Sequence, residues 1–197
     1  MKKIDFYREI SKLDKTEKND LKFEQYSTDI DTAYQLTYFI DYSIGIAGKT
    51  VADLGCGNGI LGISAALLGA EEVDMYDIDE NAVYTAKQNI EKLNIKNAKS
   101  ICMDMFDVNK KYEIIVSNPP FGFQSNFSLT AFMKKINSLS DNVFFLYKDN
   151  QEIRKIAGNG NFLVYKIKDI KLEKTLPFHK KSYYSLPAVI VYRINKI

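Results

Sequence analysis

The chain has 197 residues, 46% of them hydrophobic and 26% charged, with a formal net charge of +2. That length supports one domain with a full core. The near-neutral balance excludes a chain whose composition alone announces nucleic-acid binding. No apolar run approaches a membrane span, and charged residues rather than a signal core follow Met1. The two cysteines, Cys56 and Cys102, lie far apart, and the single histidine, His179, completes no zinc-ligand spacing with them. These features read as a soluble, cytoplasmic protein with reduced thiols and no metal site.

Ile4, Tyr7, Ile10 and Leu13 recur at helical spacing and predict an amphipathic helix over Lys2–Lys18. The pattern breaks over Leu21–Asp29. A second helix, capped by Asp29 or Asp31, is expected to run to about Ile44 with Ala33, Leu36 and Ile40 inward, ending at Gly45 and Gly48. Residues 1–44 thus form a helical extension to a single domain spanning 1–197. Strands and helices then alternate. Strands are expected at Thr50–Leu54, Glu72–Tyr76, Ala98–Cys102, Tyr112–Val116 and Asn142–Tyr147. Helices are expected at Ile60–Leu68, Glu80–Leu93, Phe127–Leu139 and Gln151–Ala157. Such alternation predicts an α/β fold, a mostly parallel sheet with helices on both faces. Phe162–Ile170 and Leu186–Ile194 follow with no clear helix between them, so the sheet should finish antiparallel.

Four strand ends carry chemistry. After the first comes Asp53-Leu54-Gly55-Cys56-Gly57-Asn58-Gly59, followed by Ile60. Glycines there allow positive φ and close approach of backbone to a ligand. An opening acid is poorly placed for a pyrophosphate and suits a cofactor bearing sulfonium and ammonium groups. After the second strand, Asp77-Ile78-Asp79 offers Asp77 for ribose hydroxyls and Asp79 as a helix cap. After the third, Asp104 is placed to accept from an adenine amino group, with Met105 packing on the ring. After the fourth, Ser117-Asn118-Pro119-Pro120-Phe121 is suited to hold a planar amino group. The Asn118 side chain and the Pro119 carbonyl would accept its two hydrogens, proline fixing φ, while Phe121 stacks on the ring. In open α/β sheets these ends converge on one crevice.

On these residues the chain resembles the class I S-adenosylmethionine-dependent methyltransferases, with a Rossmann-like fold and a seven-stranded sheet closed by an antiparallel strand. Within them it is most similar to the methyltransferase-like protein 5 family of ribosomal RNA adenine-N6 methyltransferases and its archaeal relatives. Phe23-Glu24-Gln25-Tyr26-Ser27-Thr28 is similar to that family's Leu-Glu-Gln-Tyr-Pro-Thr, with Ser27 in place of Pro, and Phe178-His179-Lys180-Lys181 matches near the end. The resemblance implies that Gln25 and Thr28 close over S-adenosylmethionine beside Gly55, Asn58, Ile60, Asp77, Asp104 and Met105. It implies an RNA substrate near Phe178, His179, Lys180 and Lys181, and a small zinc-binding activator subunit as a partner. The residues themselves place Gly122–Ser128 over the substrate, with Phe123 as a stacking candidate and Phe127, which opens a helix, favoured for packing. Lys166, Lys168, Lys171, Lys174, Lys180 and Lys181 gather near the end, a pattern suited to phosphate contacts or to a solvated face. Other readings of the motif are transfer to guanine N2 in RNA, to DNA adenine or to a protein glutamine. A non-catalytic RNA-binding subunit is a reading of another class.

Overall fold

The computed structural model describes residues 1–16, 28–121, 127–159, 162–173 and 183–194, with the backbone alone described at 170–173 and 183–185. Gln25, Phe123, Phe178, His179, Lys180 and Lys181 lie outside these residues, as do Lys174 and Ser27.

Two helices lead in, α1 (Lys3–Ile10) and α2 (Ile30–Ile44). Five β-strands and four helices follow, alternating except between β3 and β4. These are β1 (Thr50–Leu54), α3 (Ile60–Leu67), β2 (Glu72–Asp77), α4 (Glu80–Lys92), β3 (Ala98–Cys102), β4 (Ile114–Ser117), α5 (Leu129–Leu139), β5 (Val143–Lys148) and α6 (Gln151–Asn159). The chain finishes with β6 (Leu163–Lys166), β7 (Ile170–Glu173), β8 (Tyr183–Leu186) and β9 (Ala188–Arg193). Seven strands form one sheet in the order β3-β2-β1-β4-β5-β9-β6, and β7 and β8 pair as a separate ribbon. Strands β1 to β5 run parallel, and β9 is antiparallel to both β5 and β6. The sheet centre is buried on both faces, so β1, β4, β5 and β9 read as near-continuous apolar runs.

The expected α/β sheet with an antiparallel closing strand is present, and three details differ. The first helix stops at Ile10 instead of Lys18. It buries Phe6 and Ile10, while Ile4 is exposed. Phe6 sets this face by meeting Tyr34 and Tyr38 of α2 edge-on, at 5.4 and 5.7 Å between centroids. Beyond the helix, the Asp14 main chain is bound by side chains from elsewhere, described below, which prevents the helical pattern from continuing. The expected strand Phe162–Ile170 is divided between β6 and β7, and β9 lies between β5 and β6. The strand expected from Tyr112 begins at Ile114. Tyr112 instead donates its hydroxyl to the Asp74 carboxylate at 2.5 Å and accepts from the Tyr76 hydroxyl at 2.6 Å. Lys99 and Lys110 complete this buried acid's surroundings and, with Tyr112, hold its carboxyl below the usual range against the opposing effect of burial.

The cap of α2 is Asp29, which accepts from the Thr32 amide at 2.9 Å and its hydroxyl at 2.8 Å. Asp31 takes the Tyr7 hydroxyl instead. Helix α3 packs very close to β2. A Cβ on Gly62 would stand 2.4 Å from Met75 Sδ and 2.5 Å from its Cγ, so any larger residue would force the buried Met75 side chain to shift.

Candidate active site

The sheet order reverses between β1 and β4. The strand after β1 goes to one side and β4 lies on the other, which opens a crevice at their carboxyl ends. The register pairs Leu54 with Ser117, so the glycine loop and Asn118 leave the sheet side by side. The Ser117 hydroxyl donates to the Leu54 carbonyl at 2.6 Å and ties the two ends together.

The loop after β1 is built on left-handed backbone, with φ of 73° at Gly55, 55° at Gly57 and 85° at Gly59. Gly59 is the N-cap of α3. A Cβ on Gly57 would meet open space, and one on Gly55 would meet only Met105 Cε at 3.6 Å. This is an open backbone cradle faced by the Met105 side chain. The amides of Gly55 and Cys56 both donate to the Tyr76 carbonyl, at 2.8 and 2.9 Å, and fasten the loop to β2.

Asp77 ends β2 nearly buried. One carboxylate oxygen accepts from the Gly57 amide at 2.8 Å and the other from the Asp79 amide at 3.0 Å. Burial and the nearby Asp79 charge raise its pKa against those amides. Asp79 caps α4 as expected, accepting from the Asn81 amide. Ile78 between them is exposed. Asp104 accepts from the Phe106 amide at 2.9 Å, and Met105 is partly buried against the core.

Asp53 departs from expectation. It is fully buried, and one oxygen accepts from the Gly62 amide in the first turn of α3 at 2.8 Å, so the acid faces the helix rather than the crevice. The other oxygen has no hydrogen-bond partner. Burial pushes its pKa up to about 7; the Asp77 charge adds to this, and the Gly62 amide opposes it. A carboxyl with a raised folded-state pKa stabilises the fold fully below its unfolded value, near 4, and that contribution is lost as pH rises toward 7. Asp53→Asn should therefore flatten the stability profile between pH 4 and 7, removing a change of up to about 4 kcal/mol. Urea unfolding of both proteins at pH 5 and 8 checks this; equal pH slopes would contradict it.

Asn58, also expected at the cofactor, has its side chain turned away. Its amide nitrogen donates to the Asp14 carbonyl at 3.0 Å. Asn89, fully buried on α4, accepts from the Asp14 amide at 2.8 Å and donates to the Asp14 carbonyl at 3.0 Å and the Asn58 carbonyl at 2.9 Å. Lys92 adds an ion pair to Asp14 at 2.7 Å. This clamp seats the segment after α1 against the glycine loop. Sequence reasoning missed it, although Asn89 shares a helix face with Ala82, Ala86 and Ile90, and a polar residue on an apolar face is a readable signal. Ile60 is buried at the start of α3.

Asn118 is half-buried. Its Nδ2 donates to Thr28 Oγ1 at 2.9 Å, and its Oδ1 is buried without a hydrogen-bond partner. Pro119 is buried and Pro120 half-buried. Phe121 is only 2% exposed, edge-on to Tyr147 at 5.5 Å, so neither ring face is open for the expected stacking. Its carbonyl accepts from Lys148 Nζ at 2.8 Å, which fixes the end of the turn. Phe127 packs on Phe132 at 5.5 Å, in the structural role the sequence favours. Lys166 and Lys168 are exposed.

Residues 23–141 match the methyltransferase small domain family. The chain belongs to that family. Among curated relatives, the rRNA N6-adenosine-methyltransferase METTL5 of Danio rerio is 30% identical over 183 residues, covering 87% of this chain and 88% of its own length. Among solved structures, a candidate RNA methyltransferase of Pyrococcus horikoshii superposes with a TM-score of 0.86 at 29% identity, covering 99% of both chains. The magnesium protoporphyrin IX methyltransferase of Synechocystis, solved with bound S-adenosylmethionine, shares the fold with a TM-score of 0.61 at 22% identity, covering 83% of this chain and 78% of its own. Among the described residues no helix is long and apolar enough to cross a membrane, and no His, Cys, Asp and Glu cluster could hold a metal.

Proposed function

We propose that this protein transfers the methyl group of S-adenosylmethionine to the N6 amino group of an adenine in ribosomal RNA. The observation that carries the reading is the buried, unpartnered Asn118 Oδ1 beside an open glycine cradle. The cradle fits the cofactor. Positive-φ glycines bring backbone amides to it, Asp77 stands at the adjoining strand end with lone pairs left for ribose hydroxyls, and Ile78, Asp104 and Met105 offer an apolar wall and an acceptor for adenine. When bound, the cofactor supplies an electrophilic methyl group on a sulfonium.

An adenine amino group is a weak nucleophile because its lone pair is delocalised into the ring. Asn118 Oδ1 accepts one N–H and the Pro119 carbonyl the other, so the nitrogen moves toward tetrahedral geometry with its lone pair aimed across the crevice. Asn118 is no general base; the chain positions and aligns, and the proton leaves to water after transfer. The target base must be unpaired or flipped out. Phe121 supports the turn from behind rather than stacking on the base. Gln25 and the Phe178–Lys181 segment are retained as cofactor and RNA contacts on the strength of the resemblance, and Phe123 as a stacking candidate. The METTL5 relative directs the choice of ribosomal RNA.

A small zinc-binding activator is proposed to cover Met103 and Phe106, exposed apolar side chains beside β3, an edge strand of the sheet. It would co-purify with the wild-type chain and be lost from a Met103→Asp variant; retention in that variant would contradict this placement. The free thiols Cys56 and Cys102 suit a cytoplasmic setting. Label transfer from methyl-tritiated S-adenosylmethionine to ribosomal RNA, duplex DNA and ribosomal protein tests the activity. RNA should take the label; labelling of protein or DNA in its place would overturn the reading.

A further inference from the structure

We infer that Thr28 is a positioning residue for Asn118, rather than a group that only closes over the cofactor. The inference rests on the proposed amino-methyl transfer. Thr28 and Asn118 are ninety residues apart in sequence, yet Thr28 Oγ1 accepts from Asn118 Nδ2 at 2.9 Å. Thr28 directly precedes the Asp29 cap, and two bonds from Thr32 to Asp29 fix that helix start. Helix α2 is itself rigidly seated, with Ala33, Leu36 and Ile40 buried and Phe39 against Phe144 of β5. The hydroxyl is therefore presented from a fixed element.

Asn118 sits at a strand end where its carboxamide has two rotatable bonds to order. With Nδ2 engaged by Thr28, the opposite side of the amide is Oδ1, the atom left buried without a partner. That is the acceptor which amino-group capture requires. An amide turned the other way would present N–H to an N–H donor. The contact orders the side chain before substrate arrives, and a misplacement of about 1 Å in such a group is worth about a hundredfold in rate.

The test compares wild type with Thr28→Val, which keeps the shape and removes the acceptor, and Thr28→Ser, which keeps the acceptor. Single-turnover methyl transfer is measured at saturating S-adenosylmethionine and RNA, and cofactor affinity by calorimetry. Thr28→Val should slow transfer about tenfold even with the cofactor saturating, and Thr28→Ser should recover to within about threefold. A full rate in Thr28→Val overturns the inference, as does a loss seen only as weaker cofactor binding. The Asn118 side-chain amide resonances, assigned by their absence in Asn118→Ala, give a readout that needs no substrate. They should shift in Thr28→Val and return in Thr28→Ser; unchanged resonances overturn the inference. Failure of wild type to methylate adenine would instead overturn the proposed function, and the resonances would still decide the contact.

Discussion

Asn118→Ala should slow methyl transfer by about a hundredfold to a thousandfold while leaving S-adenosylmethionine affinity within about twofold. The expected split follows from where the side chain points. Its nitrogen is engaged by Thr28, its oxygen is buried and unpartnered, and no hydrogen bond ties it to the glycine loop. Alanine removes the acceptor for the amino group and leaves the cradle intact. The fold should survive, because Ser117 Oγ still joins the Leu54 carbonyl and the Lys148 ammonium still holds the Phe121 carbonyl. Single-turnover rates at saturating substrates, beside calorimetric cofactor binding, check both halves. A variant that keeps more than a tenth of the rate would contradict the assigned role.

Asp77→Ala should have the largest effect on cofactor binding, raising Kd about a hundredfold. The carboxylate holds the Gly57 amide on one side and the Asp79 amide on the other, so its loss loosens the loop and the entry to α4 together. Hydrogen bonds to charged groups are worth about 1.5–3 kcal/mol each, and the Asp79 amide left behind is buried. Asp77→Asn keeps one acceptor oxygen and should fall between, near tenfold. Titration of S-adenosylmethionine into each variant measures this. Unchanged affinity in the alanine variant would remove Asp77 from the cofactor site.

Much of this arrangement was legible because strand ends in a parallel sheet are punctuated by distinctive residues. The glycines at 55, 57 and 59, the Asp79 cap and the Asn118-Pro119-Pro120 turn each carry a local backbone signal, and alternation placed them on one edge. What the side chains do there was less legible. Asp53 looked like a crevice acid, but side chains alternate along β1 and its turn inward to Gly62 depends on how α3 packs. Phe121 looked open because it follows a turn; its burial depends on Tyr147, a partner on another strand. The Asn89–Asp14 clamp joins residues seventy-five apart and has no sequence-local signature beyond a polar residue on an apolar face. The short α1 has the same cause, since Phe6 chooses its face through α2 and Asp14 is bound elsewhere. The late strands were misjudged in extent because β-branched runs do not announce where a strand leaves one sheet for a separate ribbon.

The central claim is that Asn118 presents an adenine amino group to a methyl donor held in the adjoining cradle. It is tested most directly by digesting RNA incubated with the protein and S-adenosylmethionine to nucleosides and separating them by mass spectrometry. N6-methyladenosine should form with the wild-type chain and fall to background with Asn118→Ala. Methylguanosine as the product, or N6-methyladenosine undiminished in Asn118→Ala, would contradict it.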